Sequence, residues 1–71
     1  METMVNNAGE LTVDPGRNRI QIMFRSEPRP DALYLLEKHK FRRAGKKPVY
    51  RARLSKQTQA IGHKVFGMSV L

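Results

Sequence analysis

Between residues 18 and 25 the chain alternates, with Ile20, Ile22 and Phe24 falling on one side at a period of two, which predicts a strand. Glu10-Leu11-Thr12-Val13 alternates more weakly ahead of Asp14-Pro15-Gly16, a turn sequence, so 10–13 is the candidate hairpin partner. Ser26-Glu27-Pro28-Arg29-Pro30-Asp31 has the prolines and acids of a helix start, and Ala32, Leu33, Leu35, Leu36 and His39 follow as an apolar stripe. A helix is expected over 28–39, with Lys38, His39 and Lys40 at the negative end of its dipole. Phe41-Arg42-Arg43, the loop 44–48 and Val49–Leu54 predict strand, turn, strand, with Tyr50, Ala52 and Leu54 on one face and Val49, Arg51 and Arg53 on the other. Ser55 is placed to cap a last helix over 56–66, which Gly67 would stop. Gly62 inside that helix costs about 1 kcal/mol relative to Ala.

Residues 1–9 show no periodicity and are expected to form a loose tail. The division is therefore a flexible segment 1–17, with a short strand at 10–13, and a single domain 18–71. The expected fold is α+β, of order (β)βαββα, a three- to four-stranded mixed or antiparallel sheet packed on two helices.

Length and composition narrow the function. Seventy-one residues suffice for one small domain, the absence of cysteine excludes disulfides and thiolate metal sites, and two histidines do not make a zinc centre. The lack of cysteine makes a reducing cytoplasm the expected location, and no apolar run reaches the roughly 18 residues of a membrane span, while the N-terminus is acidic and polar. The net charge is +8 and lopsided: residues 1–37 carry four basic and six acidic side chains, whereas 38–71 carry ten basic and no acidic ones. So concentrated a cation attracts polyanions, nucleic acid first among them, although basic surfaces also serve solubility alone.

Asn18-Arg19-Ile20-Gln21-Ile22-Met23-Phe24, a Pro-initiated helix through Leu36, Phe41-Arg42, and Tyr50 followed by Leu54-Ser55 together resemble a small module of phage, plasmid and integrative-element proteins of unknown function. That module reads NRIQIFF, a helix ending in Leu-Lys with a Gly-Phe, FRW, a Pro, AW, an Arg and LT; the likeness covers about residues 18–66. It implies a mobile-element protein, and with it a cytoplasmic location in a bacterial host cell. Here Arg43 and Tyr50 stand where the module has tryptophans, Gly45 replaces its turn proline, Ala52 its strand arginine, and Lys40 the glycine before Phe41. The βαββα order is also similar to the HARP-type domain of annealing helicases, which binds DNA.

The candidate nucleic-acid surface is Arg42, Lys46, Lys47, Arg51 and Arg53, reinforced by Lys38, Lys40, Arg43, Lys56 and Lys64. Arg51 and Arg53, two apart on a strand, lie about 7 Å from each other on one side, suited to neighbouring phosphates. Such contacts hold a backbone without reading sequence. Alternation puts Arg43 on the core side with Phe41, from which it would snorkel at the sheet edge. Phe24, Phe41, Phe66 and Tyr50 are expected in the core; Tyr34, near the polar side of its helix, is a candidate base contact along with Arg43. His39 and His63 lack a third ligand, Ser55 lacks a base, and no phosphate-cradling glycine loop or paired-carboxylate motif is present, so neither enzyme activity, cofactor nor metal is expected. Two readings of the basic face stand: nucleic acid, DNA ahead of RNA, bound with low sequence specificity, or an acidic host protein bound by a counter-defence regulator, for example a nuclease or CRISPR complex. A monomer or weak homodimer would serve either.

Overall fold

In the computed structural model, which describes residues 1–70, five strands and two helices form two layers. The strands are β1 (Glu2–Asn6), β2 (Gly9–Asp14), β3 (Arg19–Phe24), β4 (Arg42–Arg43) and β5 (Val49–Arg53); the helices are α1 (Pro30–Lys38) and α2 (Lys56–Met68). The sheet order is β1-β2-β3-β5-β4 and every neighbouring pair is antiparallel. The α+β class holds, with more strands than expected, because the N-terminal segment is a hairpin.

Register makes two different faces. Leu11, Ile22 and Tyr50 form one row across β2, β3 and β5, and Val13, Ile20 and Ala52 the next. All six are buried, and Phe24, Ala32, Leu36, Phe41, Val65 and Phe66 complete the core between this face and the helices. The edge of Phe24 meets the ring of Tyr50 at 74° with centroids 5.9 Å apart, a favoured aromatic geometry. Side chains at the intervening positions point to the opposite, helix-free face.

The expected tail at 1–9 is corrected to β1 and the turn leading into β2. The turn uses Asn6, whose Oδ1 accepts from the Ala8 amide at 2.7 Å and whose Nδ2 donates to the Phe66 carbonyl at 3.2 Å, tying the hairpin to α2. Gly9 is required there: its φ is +150°, and a Cβ would sit 1.9 Å from the Met23 carbonyl oxygen. Residues Glu2 to Val5 are all exposed, so β1 is held by ladder hydrogen bonds and has no apolar alternation to betray it.

Helix α1 begins at Pro30 and not at 28, because a residue before proline is pushed out of the helical region; Arg29 accordingly has φ −63° and ψ 156°. The Arg29 Nη2 donates to the Met68 carbonyl at 3.1 Å, joining the start of α1 to the end of α2. Ser55 caps α2 as expected, in a reciprocal box with Thr58: the Thr58 amide donates to Ser55 Oγ at 3.1 Å and the Ser55 amide to Thr58 Oγ1 at 2.8 Å. Gly67 does not stop this helix, which runs on to Met68; the Ser69 hydroxyl donates to the Val65 carbonyl at 2.8 Å beyond it. Gly62 has a structural reason, since a Cβ there would lie 2.8 Å from Ile20 Cδ1, where α2 crosses the sheet.

Candidate nucleic-acid interface

The helix-free face carries its arginines on three adjacent strands. Arg42 of β4 stands opposite Arg51 of β5, and Arg53 of β5 stands opposite Arg19 of β3. Strands are about 4.8 Å apart and alternate residues about 7 Å, so the four side chains root in a block about 10 Å by 7 Å. Lys40 and Arg17 join them around a shallow open concavity lined also by Asn18 and Ala52.

Like charges directly opposite in a sheet are destabilising, by a fraction of a kcal/mol at an exposed site. Among the described residues none of Arg19, Arg42, Arg51 and Arg53 forms an ion pair. Asp14 is opposite Arg19 in the β2–β3 register, but its carboxylate is turned to Arg17, accepting from the Arg17 amide at 3.3 Å and lying 3.9 Å from Nε. Neutral groups orient two of the guanidiniums instead: Arg51 Nε donates to Gln21 Oε1 at 2.7 Å. With its amide turned to satisfy both ends, Asn18 accepts from Arg53 Nε at 3.2 Å and donates to the Leu54 carbonyl at 3.2 Å. These contacts fix direction and leave the charge unpaired.

Lys40 reaches this site through an unusual backbone. Its φ is +66°, the left-handed region, where a residue with a Cβ is disfavoured by about 1 kcal/mol relative to glycine. The local hydrogen bonds explain why: Phe41 N–H donates to the Leu36 carbonyl at 2.9 Å and Lys40 N–H to Glu37 at 3.2 Å, a Schellman ending of α1. Leu36 and Phe41 are both buried, the apolar contact that accompanies that motif. The glycine position of a helix end thus holds a lysine beside four arginines.

The remaining expected site residues are distributed elsewhere. Lys56 opens α2, three residues past Arg53 and at the same end of the sheet. Lys46 and Lys47 are exposed in the β4–β5 loop, at the opposite end of β5. Tyr34 is 63% exposed but stands on the solvent side of α1, in the helix layer, with Lys38 Nζ 5.9 Å from its ring centroid; it is not on the arginine face. Arg43, opposite Tyr50 on the core side, snorkels past the edge to Glu27. Its two terminal nitrogens donate to the two Glu27 oxygens at 2.8 and 2.6 Å, and one also donates to the Lys46 carbonyl at 2.7 Å. Hydrogen bonding from Arg43 holds the Glu27 carboxyl below its ordinary range, and Glu27 raises the Arg43 pKa in turn. Arg43 is therefore a clasp between the β3–α1 linker and the β4–β5 loop, and the arrangement leaves it outside the patch.

Sequence reasoning missed Arg17 and Arg19, which belong to the nearly neutral half of the chain, and the orienting Gln21 and Asn18. The alternation that buries Ile20 and Ile22 turns Arg19 and Gln21 outward, a legible signal; the adjacency of β3 and β5 that puts them beside Arg53 and Arg51 is not. Among the described residues no group of three His, Asp or Glu side chains is placed to hold a metal ion, and no helix is long and apolar enough to cross a membrane. Compared with protein-family models, curated proteins and solved structures, the chain has no significant match.

Proposed function

We propose that this protein binds nucleic acid, DNA in preference to RNA, through phosphate contacts on the helix-free face of its sheet, with low sequence specificity. The observation that carries this reading is the set of four arginines on adjacent strands, none of which forms an ion pair among the described residues. A fold that pairs Arg43 with Glu27 and leaves Arg42, the residue before it, among cations retains the repulsion for a ligand to relieve. An acidic protein would meet the same groups, but regular placement at about 7 Å along β5 favours a ligand whose negative charges repeat.

Arg19, Lys40, Arg42, Arg51 and Arg53 hold phosphates in this reading, Lys56 extends the contact at one end, and Gln21 and Asn18 position two of the guanidiniums. Guanidinium donors suit phosphate oxygens in pairs. The test is fluorescence anisotropy with labelled oligonucleotides across a salt series. Affinity is expected to fall with a log–log slope of about −3 to −6, from four to seven phosphates; no binding at about 50 mM salt overturns the proposal.

A further inference from the structure

Resting on that reading, we infer that the ligand is double-stranded DNA, gripped by both of its backbones with the arginine block astride the minor groove. Two observations lead there, one about what the face carries and one about its shape.

Proteins that hold single strands stack bases on aromatic side chains. All five aromatic residues of this chain are accounted for: Phe24, Phe41, Tyr50 and Phe66 are buried in the core, and Tyr34 is on the far side of α1. Beside its cations this face carries Gln21 and Met23 of β3 and Glu10, Thr12 and Asp14 of β2, with no aromatic ring among them; the two carboxylates lie on the hairpin side and leave the end toward β4 to the arginines. Bases splayed from a single strand would find no aromatic ring to stack on, only guanidinium planes.

The cations are also laid out in two dimensions. A single strand presents its phosphates in one line, which would use Arg51 and Arg53 along β5 and leave Arg19 and Arg42 to either side. Roots spread over about 10 Å across three strands, extended by flexible side chains, span a groove about 6 Å wide and reach phosphates on both its walls. Arg42 then serves one backbone and Arg19 the other. The wide, shallow minor groove of an RNA duplex places its two backbones farther apart, which is why B-form DNA is the expected partner.

The experiment measures anisotropy of the full chain with a DNA duplex of about 20 base pairs, with each strand alone, and with the RNA duplex of the same sequence, at one salt concentration. The DNA duplex is expected to bind about tenfold more tightly than either strand or the RNA duplex. A single strand bound as tightly as the duplex overturns the duplex inference and leaves nucleic-acid binding intact; an RNA duplex bound as tightly overturns the minor-groove placement. Absence of binding to all of them overturns the parent reading itself. Arg42→Gln provides the geometric control, since its side chain is exposed and forms no ion pair among the described residues. It is expected to weaken duplex binding several-fold, by a clearly larger factor than single-strand binding; equal losses on both would sink the two-backbone arrangement.

Discussion

The two faces of the sheet obey opposite rules, although the same strands build both. On the inner face each row is satisfied: Leu11, Ile22 and Tyr50 are buried side by side, and even the one arginine of that side, Arg43, ends on a carboxylate. The outer face sets Arg42 against Arg51 and Arg53 against Arg19, and among the described residues none of the four forms an ion pair. Local rules that hold throughout a structure and fail in one place mark that place as functional. Arg42 and Arg43 make the contrast sharpest, because they are neighbours in one short strand. The clasp at Arg43 is consistent with a structural duty, and the exposed Arg42 with an intermolecular one.

The strongest way to break the comparison is to remove charge from the outer face. Arg51→Gln with Arg53→Gln keeps polar side chains on β5 and deletes two guanidiniums. DNA affinity should fall by about a hundredfold, as expected for two charge-assisted contacts of roughly 1.5 kcal/mol each. The melting temperature should hold or rise, because repulsion is relieved. A variant that melts earlier and binds normally would make these arginines structural and reverse the assignment of the two faces.

The inner face should respond the other way. At Gly62 an added Cβ would lie only 2.8 Å from Ile20 Cδ1, and Ile20 is fully buried. Gly62→Leu forces further atoms into that contact and should cost about 2–3 kcal/mol, a drop of at least 8 °C or so in a domain this small. Affinity per folded molecule should stay within about twofold, since the arginine roots are on the other side of the sheet. Denaturant titration alongside binding at low temperature separates the two quantities.

The same contrast explains what could be seen in the sequence. Strands that bury one face announce themselves by alternation, so β3 and β5 were legible from Ile20, Ile22 and Phe24 and from Tyr50 and Ala52. The cap of α2 was equally plain from Ser55. Strand β1 was not, because none of Glu2 to Val5 is buried and its pairing is a matter of backbone alone; the turn chemistry of Asn6, Asn7 and Gly9 was its one trace. The site was half legible for a related reason. Charge counting found Arg42, Arg51 and Arg53 but attached Lys46, Lys47 and Arg43 to them, since sequence proximity cannot say which end of a hairpin, or which side of an edge strand, a residue occupies. Arg19 entered only through the β3–β5 register, a long-range pairing.

Lys40 lies where stability and binding diverge within one residue. Its left-handed backbone favours glycine, while its side chain lines the basic concavity. Lys40→Gly should therefore stabilise the fold by about 0.5–1 kcal/mol and weaken DNA binding several-fold, the loss of one phosphate contact lowering the salt slope by about one. Opposite signs in melting and in anisotropy are the signature to look for. A glycine variant that is stabler and binds as well would place Lys40 outside the interface.

The smallest expected effect tests the clasp that sets Arg43 apart. Because Arg43 holds the Glu27 carboxyl below its ordinary value of 4.5, the unfolded chain takes up the proton first as pH falls, and stability decreases with acidification. The contribution of the pair is whole above the ordinary carboxylate value and is lost as pH drops through the lower, folded one. Both side chains are exposed, so the change is modest. Melting curves of the native chain and of Glu27→Gln should be separated at neutral pH, with the native chain higher, and should converge below the ordinary carboxylate range. A gap that persists in acid would mean that packing of the linker, not charge, holds the loop. Freed from Glu27, Arg43 remains on the core side of β4, so DNA affinity of Glu27→Gln at neutral pH should match the native chain within about twofold. A marked gain would show that the freed guanidinium reaches the ligand, and that the boundary between the two faces is set by the ion pair and not by the pleat of the strand.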